Sequence, residues 1–173
     1  MESSQEQKNS PDVVGRALGY GILGGLIATI VMDLVMVGLF VIMARPATVF
    51  FAFIGDATGA FFTLIGFNIS VGATLGTVLH YVLGLLFGLI FGAIAPRWSF
   101  LRSEGAIVWM VVAVVYVQIL SLGLLIPTTR LLEMTRVEVW ELLSLSVFVH
   151  SIWGVVLGIV AKRGCRTERI NHD

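Results

Sequence analysis

Four stretches of the chain are almost unbroken runs of apolar residues, set apart by shorter polar or glycine- and proline-containing segments. They cover about residues 19–43, 71–95, 105–126 and 142–161. Each supplies the roughly 20 apolar residues that a helix needs to cross a hydrocarbon core of about 30 Å. None alternates apolar and polar residues in the way of a membrane-barrel strand. The pattern predicts an all-α integral membrane protein, a single bundle of four transmembrane helices between a polar tail (1–18) and a basic tail (162–173).

Punctuation agrees with these limits. Pro46, Pro96 and Pro127 each fall just past the expected end of a span, where a missing backbone N–H costs little. Trp98 and Trp140 stand beside span ends, where indole favours the headgroup layer. The first 18 residues are polar and of mixed charge, without a small-residue cleavage site, so the first span is expected to be an uncleaved helix. Residues 45–70 are too apolar for an ordinary loop, with Phe50, Phe51, Phe53, Phe61, Phe62 and Phe67 flanking breaks at Gly55, Asp56, Thr58 and Gly59. They are expected either to lie flat at the interface as a helix or to dip back into the bundle.

Composition leaves little room for another class. The chain of 173 residues is 57% hydrophobic and 13% charged with one cysteine, against about 25% charged in a soluble domain, which excludes disorder and a disulfide scaffold. Net charge is zero, but its distribution is informative. With the N-terminus inside, Lys8, Arg16, Arg97, Arg102, Lys162, Arg163, Arg166 and Arg169 face the cytoplasm, and Arg45, Arg130 and Arg136 face outward. That asymmetry puts both termini in the cytoplasm. Nothing in it suggests nucleic acid; the basic tail reads as a topogenic, lipid-facing cluster. Cys165 reads as an idle reduced thiol. Arg130, Glu133, Arg136, Glu138 and Glu141 are expected on an outer loop over 128–141, a short amphipathic turn open to a partner.

A half-repeat emerges inside the spans. The second carries His80-xxx-Gly84-xxx-Gly88 and the fourth His150-xxx-Gly154-xxx-Gly158, offset by 70 residues. Two hairpins related by an axis along the membrane normal would give this pattern. Residues four apart share a ridge. In the second span that ridge is Gly72, Gly76, His80, Gly84, Gly88 and Gly92; in the fourth it is Ser146, His150, Gly154 and Gly158; in the first it is Gly21, Gly25, Thr29 and Asp33. Small residues so spaced let helices approach closely in lipid. The first, second and fourth spans are therefore expected to dock through glycine grooves, with the second and fourth in contact.

One polar residue interrupts each span: Asp33, His80, Gln118 and His150. At 1.5 Å per residue all four fall near one layer, at or just outside the midplane. A buried carboxylate there costs about 2.5–3.5 kcal/mol on insertion scales and usually finds a partner inside the bundle. A structural polar layer, a proton relay, haem b held between His80 and His150, and a metal on Asp33, His80 and His150 all remain open. For haem, the glycine four residues after each histidine would make room for the macrocycle. No metal set is assigned, because two or three ligands lack supporting residues. No nucleophile triad, CxxC, phosphate loop or HExxH is present, so no enzyme is expected.

Residues 25–32 (GLIATIVM), His80-xxx-Gly84-xxx-Gly88, the start of the third span at 105–109, Pro127, and His150-xxx-Gly154-xxx-Gly158 together resemble small prokaryotic four-span membrane proteins of the YagU-like kind. The resemblance covers about residues 19–161 and implies a multi-pass protein of a prokaryotic cytoplasmic membrane. It carries over no catalytic or binding residue, and Asp33 lies outside its pattern. The expected role is non-enzymatic, a packing or assembly component that associates with itself or with a larger membrane complex. A proton-linked or small-solute transporter and a haem bundle stand as the alternatives.

Overall fold

The computed structural model describes residues 11–69, 71–98, 100–101 and 105–164. Lys8, Arg102, Cys165, Arg166 and Arg169 lie outside the described residues. Among the described residues five helices follow one another: α1 (Pro11–Ile42), α2 (Thr48–Leu64), α3 (Ala73–Ile94), α4 (Ala106–Leu131) and α5 (Arg136–Gly164), with a 3-10 turn (Ala95–Arg97) after α3. All the secondary structure among the described residues is helical. α1, α3, α4 and α5 are long and apolar enough to cross a membrane, while α2 is shorter. This is the architecture of a multi-pass membrane protein.

The outer surface supports that reading. On α4, Ile107, Val111, Val115 and Ile119 are exposed at four-residue spacing, and Val78, Val82 and Leu86 are exposed on α3. Helices apolar on every side have nothing to gain from water on their outer face, and lipid suits it.

α1 is the central element. It packs against both α3 and α5, α5 packs in turn against α4, and α2 packs on α3 with a lighter contact to α4. The second and fourth spans, α3 and α5, therefore dock on α1 and not through each other's glycines, as the repeated ridge had suggested. The reason lies in what each glycine faces. A Cβ on Gly88 would meet Gly25 Cα at 2.8 Å, and one on Gly92 would meet Gly21 Cα at 3.0 Å. One on Gly154 would meet Val114 Cα at 2.6 Å, and one on Gly158 would meet Met110 Cα at 2.7 Å. Each histidine-bearing helix thus seats its glycines on the membrane-spanning helix before it, α3 on α1 and α5 on α4.

Three boundaries differ from the sequence reading, the first being that α1 begins at Pro11 and not near residue 19. Pro127 lies inside α4, four residues from its end. Its missing N–H frees the Gly123 carbonyl near the end of the span, where polar surroundings can satisfy it. α5 begins at Arg136, so Arg130 and Arg136 belong to helix ends and the connection shrinks to residues 132–135. A capping box explains that start: Thr135 N–H and Oγ1–H both donate to Glu138 Oε2 at 2.8 Å, and Glu138 N–H reaches back to Thr135 Oγ1 at 3.4 Å.

α2 is a helix that docks against α3. Gly55 lies over Val71 and Gly72, and Gly76 lies over Phe51 and Gly55, so the two helices run antiparallel at close approach. Phe50 and Phe51 reach the ring of His80, which lies two turns inside α3. The first turn of α2 therefore dips roughly 10 Å below the start of α3. That placement corresponds to a segment folded back into the bundle rather than one spread flat.

Candidate functional site

Asp33 is the one Asp, Glu, Lys or Arg more than two turns from both ends of any long helix among the described residues. It is 8% exposed. Its depth follows from the ridge it terminates: Gly21 and Gly25 bring α1 against α3, and Thr29 fills the space at Gly84. One turn further along α1, Asp33 meets the residue one turn earlier on α3, which is His80. His80 Nε2–H donates to Asp33 Oδ1 at 3.0 Å. Asp33 Oδ2 is buried without a hydrogen-bond partner, and Tyr81 is a further group that interacts with the carboxylate. The His80 ring is held edge-on by Phe50 at 5.2 Å between centroids and by Phe51 at 6.1 Å. A hydrogen-bonded carboxylate and imidazole walled by aromatic rings have few alternatives to sharing a proton between them.

His80 and His150 line the same cavity, of about 160 Å³. All five helices contribute to it, and its wall is almost entirely apolar: Met32 and Met36 from α1, Phe53 from α2, Leu83 from α3 and Leu145 from α5 are typical. His150 is held in place from its own helix, with Nδ1 2.9 Å from the Ser146 carbonyl and 3.0 Å from Ser146 Oγ. Trp153, one turn on, also lines the cavity and donates to Thr29 Oγ1 at 3.0 Å, which ties α5 to α1 at this level.

Gln118 is placed elsewhere. Its amide donates to the Val147 carbonyl at 2.8 Å and to Ser151 Oγ at 3.1 Å, locking α4 to α5 outside the cavity, with Oε1 buried and unpartnered. The expected layer of four is therefore a pair, a third member across a cavity, and a separate interhelical lock. The two halves nevertheless correspond. Thr29 faces Gly84 as Val114 faces Gly154. Four residues on from each stand Asp33, joined to His80 and near Tyr81, and Gln118, joined to Ser151. The repeat that spans one and three conceal in sequence is visible in what they hold.

The room expected for a haem macrocycle is filled. Beside Gly84 stands the Thr29 side chain, beside Gly88 the backbone of α1, and beside Gly154 and Gly158 the backbone of α4. The cavity is also smaller than the roughly 300 Å³ at which cofactor pockets begin, and His80 Nε2 is engaged by Asp33. Among the described residues no three His, Cys, Asp or Glu side chains group closely enough to hold a metal ion. Sequence reasoning missed the cavity's walls and Tyr116, whose hydroxyl donates to the Phe87 carbonyl at 2.8 Å and ties α4 to α3. A lone tyrosine in an apolar span was the available signal. Compared with family models, curated proteins and solved structures, the chain matches none.

Proposed function

We propose that this is a non-enzymatic, proton-linked membrane protein that handles a small solute, with Asp33 and His80 as its proton-carrying pair. The observation that supports it is the 3.0 Å contact between Asp33 and His80 at the wall of a cavity that also meets His150. Asp and His together exchange a proton near neutral pH, and an intramembrane pair of this kind is by default a functional one. The glycine ridges support this over a purely assembling role, because all their glycines but Gly72 already face other helices or the segment before α3 in the same chain. Self-association enters differently: four spans enclose little space, so a complete pathway calls for a dimer or a larger complex. The YagU-like resemblance, the prokaryotic cytoplasmic membrane and the cytoplasmic termini belong to the same proposal.

Proton flux tests it. Purified protein in vesicles loaded with a pH-sensitive dye should pass protons down an imposed potassium-diffusion potential, and Asp33→Asn should fall to the level of empty vesicles. Asparagine can still accept from His80, so the variant is expected to fold. A folded Asp33→Asn with unchanged flux would remove the pair from the mechanism.

A further inference from the structure

The polar groups around the cavity are lopsided in kind. Thr29 Oγ1–H donates to the Gly25 carbonyl at 2.9 Å, and Ser121 Oγ–H donates to the Gln118 carbonyl at 3.3 Å. The Trp153 indole donates to Thr29, and His80 Nε2–H donates to Asp33. His150 donates from Nδ1 to the Ser146 carbonyl, so its neutral ring carries the lone pair on Nε2. No hydrogen bond among the described residues engages that Nε2. The second nitrogen of His80 is an acceptor by the same reasoning. Only Ser146, whose Oγ shares the His150 Nδ1 contact, keeps a hydroxyl hydrogen free to turn. The wall is therefore apolar, its donors other than the Ser146 hydroxyl are spent, and His150, which lines the cavity, keeps an imidazole acceptor without a partner.

An acceptor that faces an apolar cavity without a donor is satisfied by a ligand carrying one. Size narrows the choice. At about 160 Å³ the cavity matches the apolar cavity of about 150 Å³ known to admit benzene. We infer that the cavity binds a small apolar molecule of benzene size bearing a single hydroxyl or undissociated acid O–H, which donates to His150 Nε2. Transport of that molecule rests on the proton-linked reading; binding rests on the cavity alone.

Phenol and toluene make the test, since they share a shape and differ in the O–H. Calorimetric titration of the micelle-solubilised protein, with protein-free micelles subtracted, should give one saturable phenol site per chain. Toluene should bind about tenfold more weakly, the loss of one hydrogen bond. His150→Phe should bring phenol down to toluene's affinity, and Leu145→Trp, which fills the cavity, should abolish both. Where His150→Phe fails to fold, His150→Asn keeps an acceptor and should retain phenol binding. Equal binding of phenol and toluene, phenol binding unaltered by His150→Phe or Leu145→Trp, or no saturable site would each overturn the inference. Saturable phenol binding alongside unchanged proton flux in Asp33→Asn would sink the proton-linked reading and leave the site standing. Flux that needs Asp33 without a phenol site would do the reverse.

Discussion

Asp33 and His80 depend on each other more than either depends on the bundle. Removing His80 takes the hydrogen bond from Oδ1 of a buried carboxylate whose Oδ2 already has no hydrogen-bond partner, leaving Tyr81 as its nearby polar group. Breaking a buried pair from one side costs about 3–5 kcal/mol, because the remaining charge is uncompensated. His80→Phe should therefore destabilise the protein strongly in thermal unfolding, whereas adding Asp33→Asn to it should restore much of the loss. A double-mutant cycle measures this directly; additive effects of the two substitutions would mean that the contact contributes nothing. The polarity and depth of both residues were legible in the sequence. Their pairing was not, because it depends on how far α1 slides along α3, which Thr29 and the glycines set.

Among the helices, the glycines separate into two groups that sequence spacing alone cannot distinguish. Gly88 faces the backbone of α1, and a side chain there has no flexible neighbour to push aside. Gly38, on the same α1, has open space beside it. Gly88→Leu should prevent α3 from docking and leave the protein aggregated in gel filtration, while Gly38→Leu should elute as the unaltered protein does. If both substitutions behave alike, the α1–α3 groove is not what holds these helices. The start of α5 was also there to be read, since Thr135 and Glu138 form the T-x-x-E pattern of a capping box just before an apolar run. The extension of α4 past Pro127 was not, because proline stops a helix only when its freed carbonyl has nowhere to go. α2 was recognisable as apolar and helical, but its fold back onto α3 depends on Gly55 and Gly76 meeting across two elements.

For the whole molecule, four helices long enough to cross a membrane would leave both ends of the bundle on one side of it, and the Lys/Arg asymmetry predicts that side to be the cytoplasm. A reporter active only in the cytoplasm, fused at either terminus, should give signal in both cases; signal at one end alone would mean an odd number of crossings. The filled glycine sites and the small cavity lead to a second expectation. Protein purified from haem-supplied cells should show no Soret band, oxidised or reduced. A band that is lost in His80→Ala or His150→Ala would return the histidines to axial ligands and displace the proton-linked reading.

The helical class, the four helices long enough to cross a membrane, the small-residue ridges and the rarity of polar residues within them could all be read along the chain. All of these follow from composition and periodicity along one chain, and a bilayer enforces them by penalising any unpaired backbone or exposed charge. Tertiary structure alone decided that α1 stands between α3 and α5, that Asp33 meets His80 while Gln118 turns to Ser151, and that two histidines 70 residues apart share a cavity. Ridges of glycine are nearly interchangeable as patterns. Which ridge receives which depends on the particular side chains opposite each gap, with Thr29 at Gly84 and Val114 at Gly154, and those matches exist only between helices already packed.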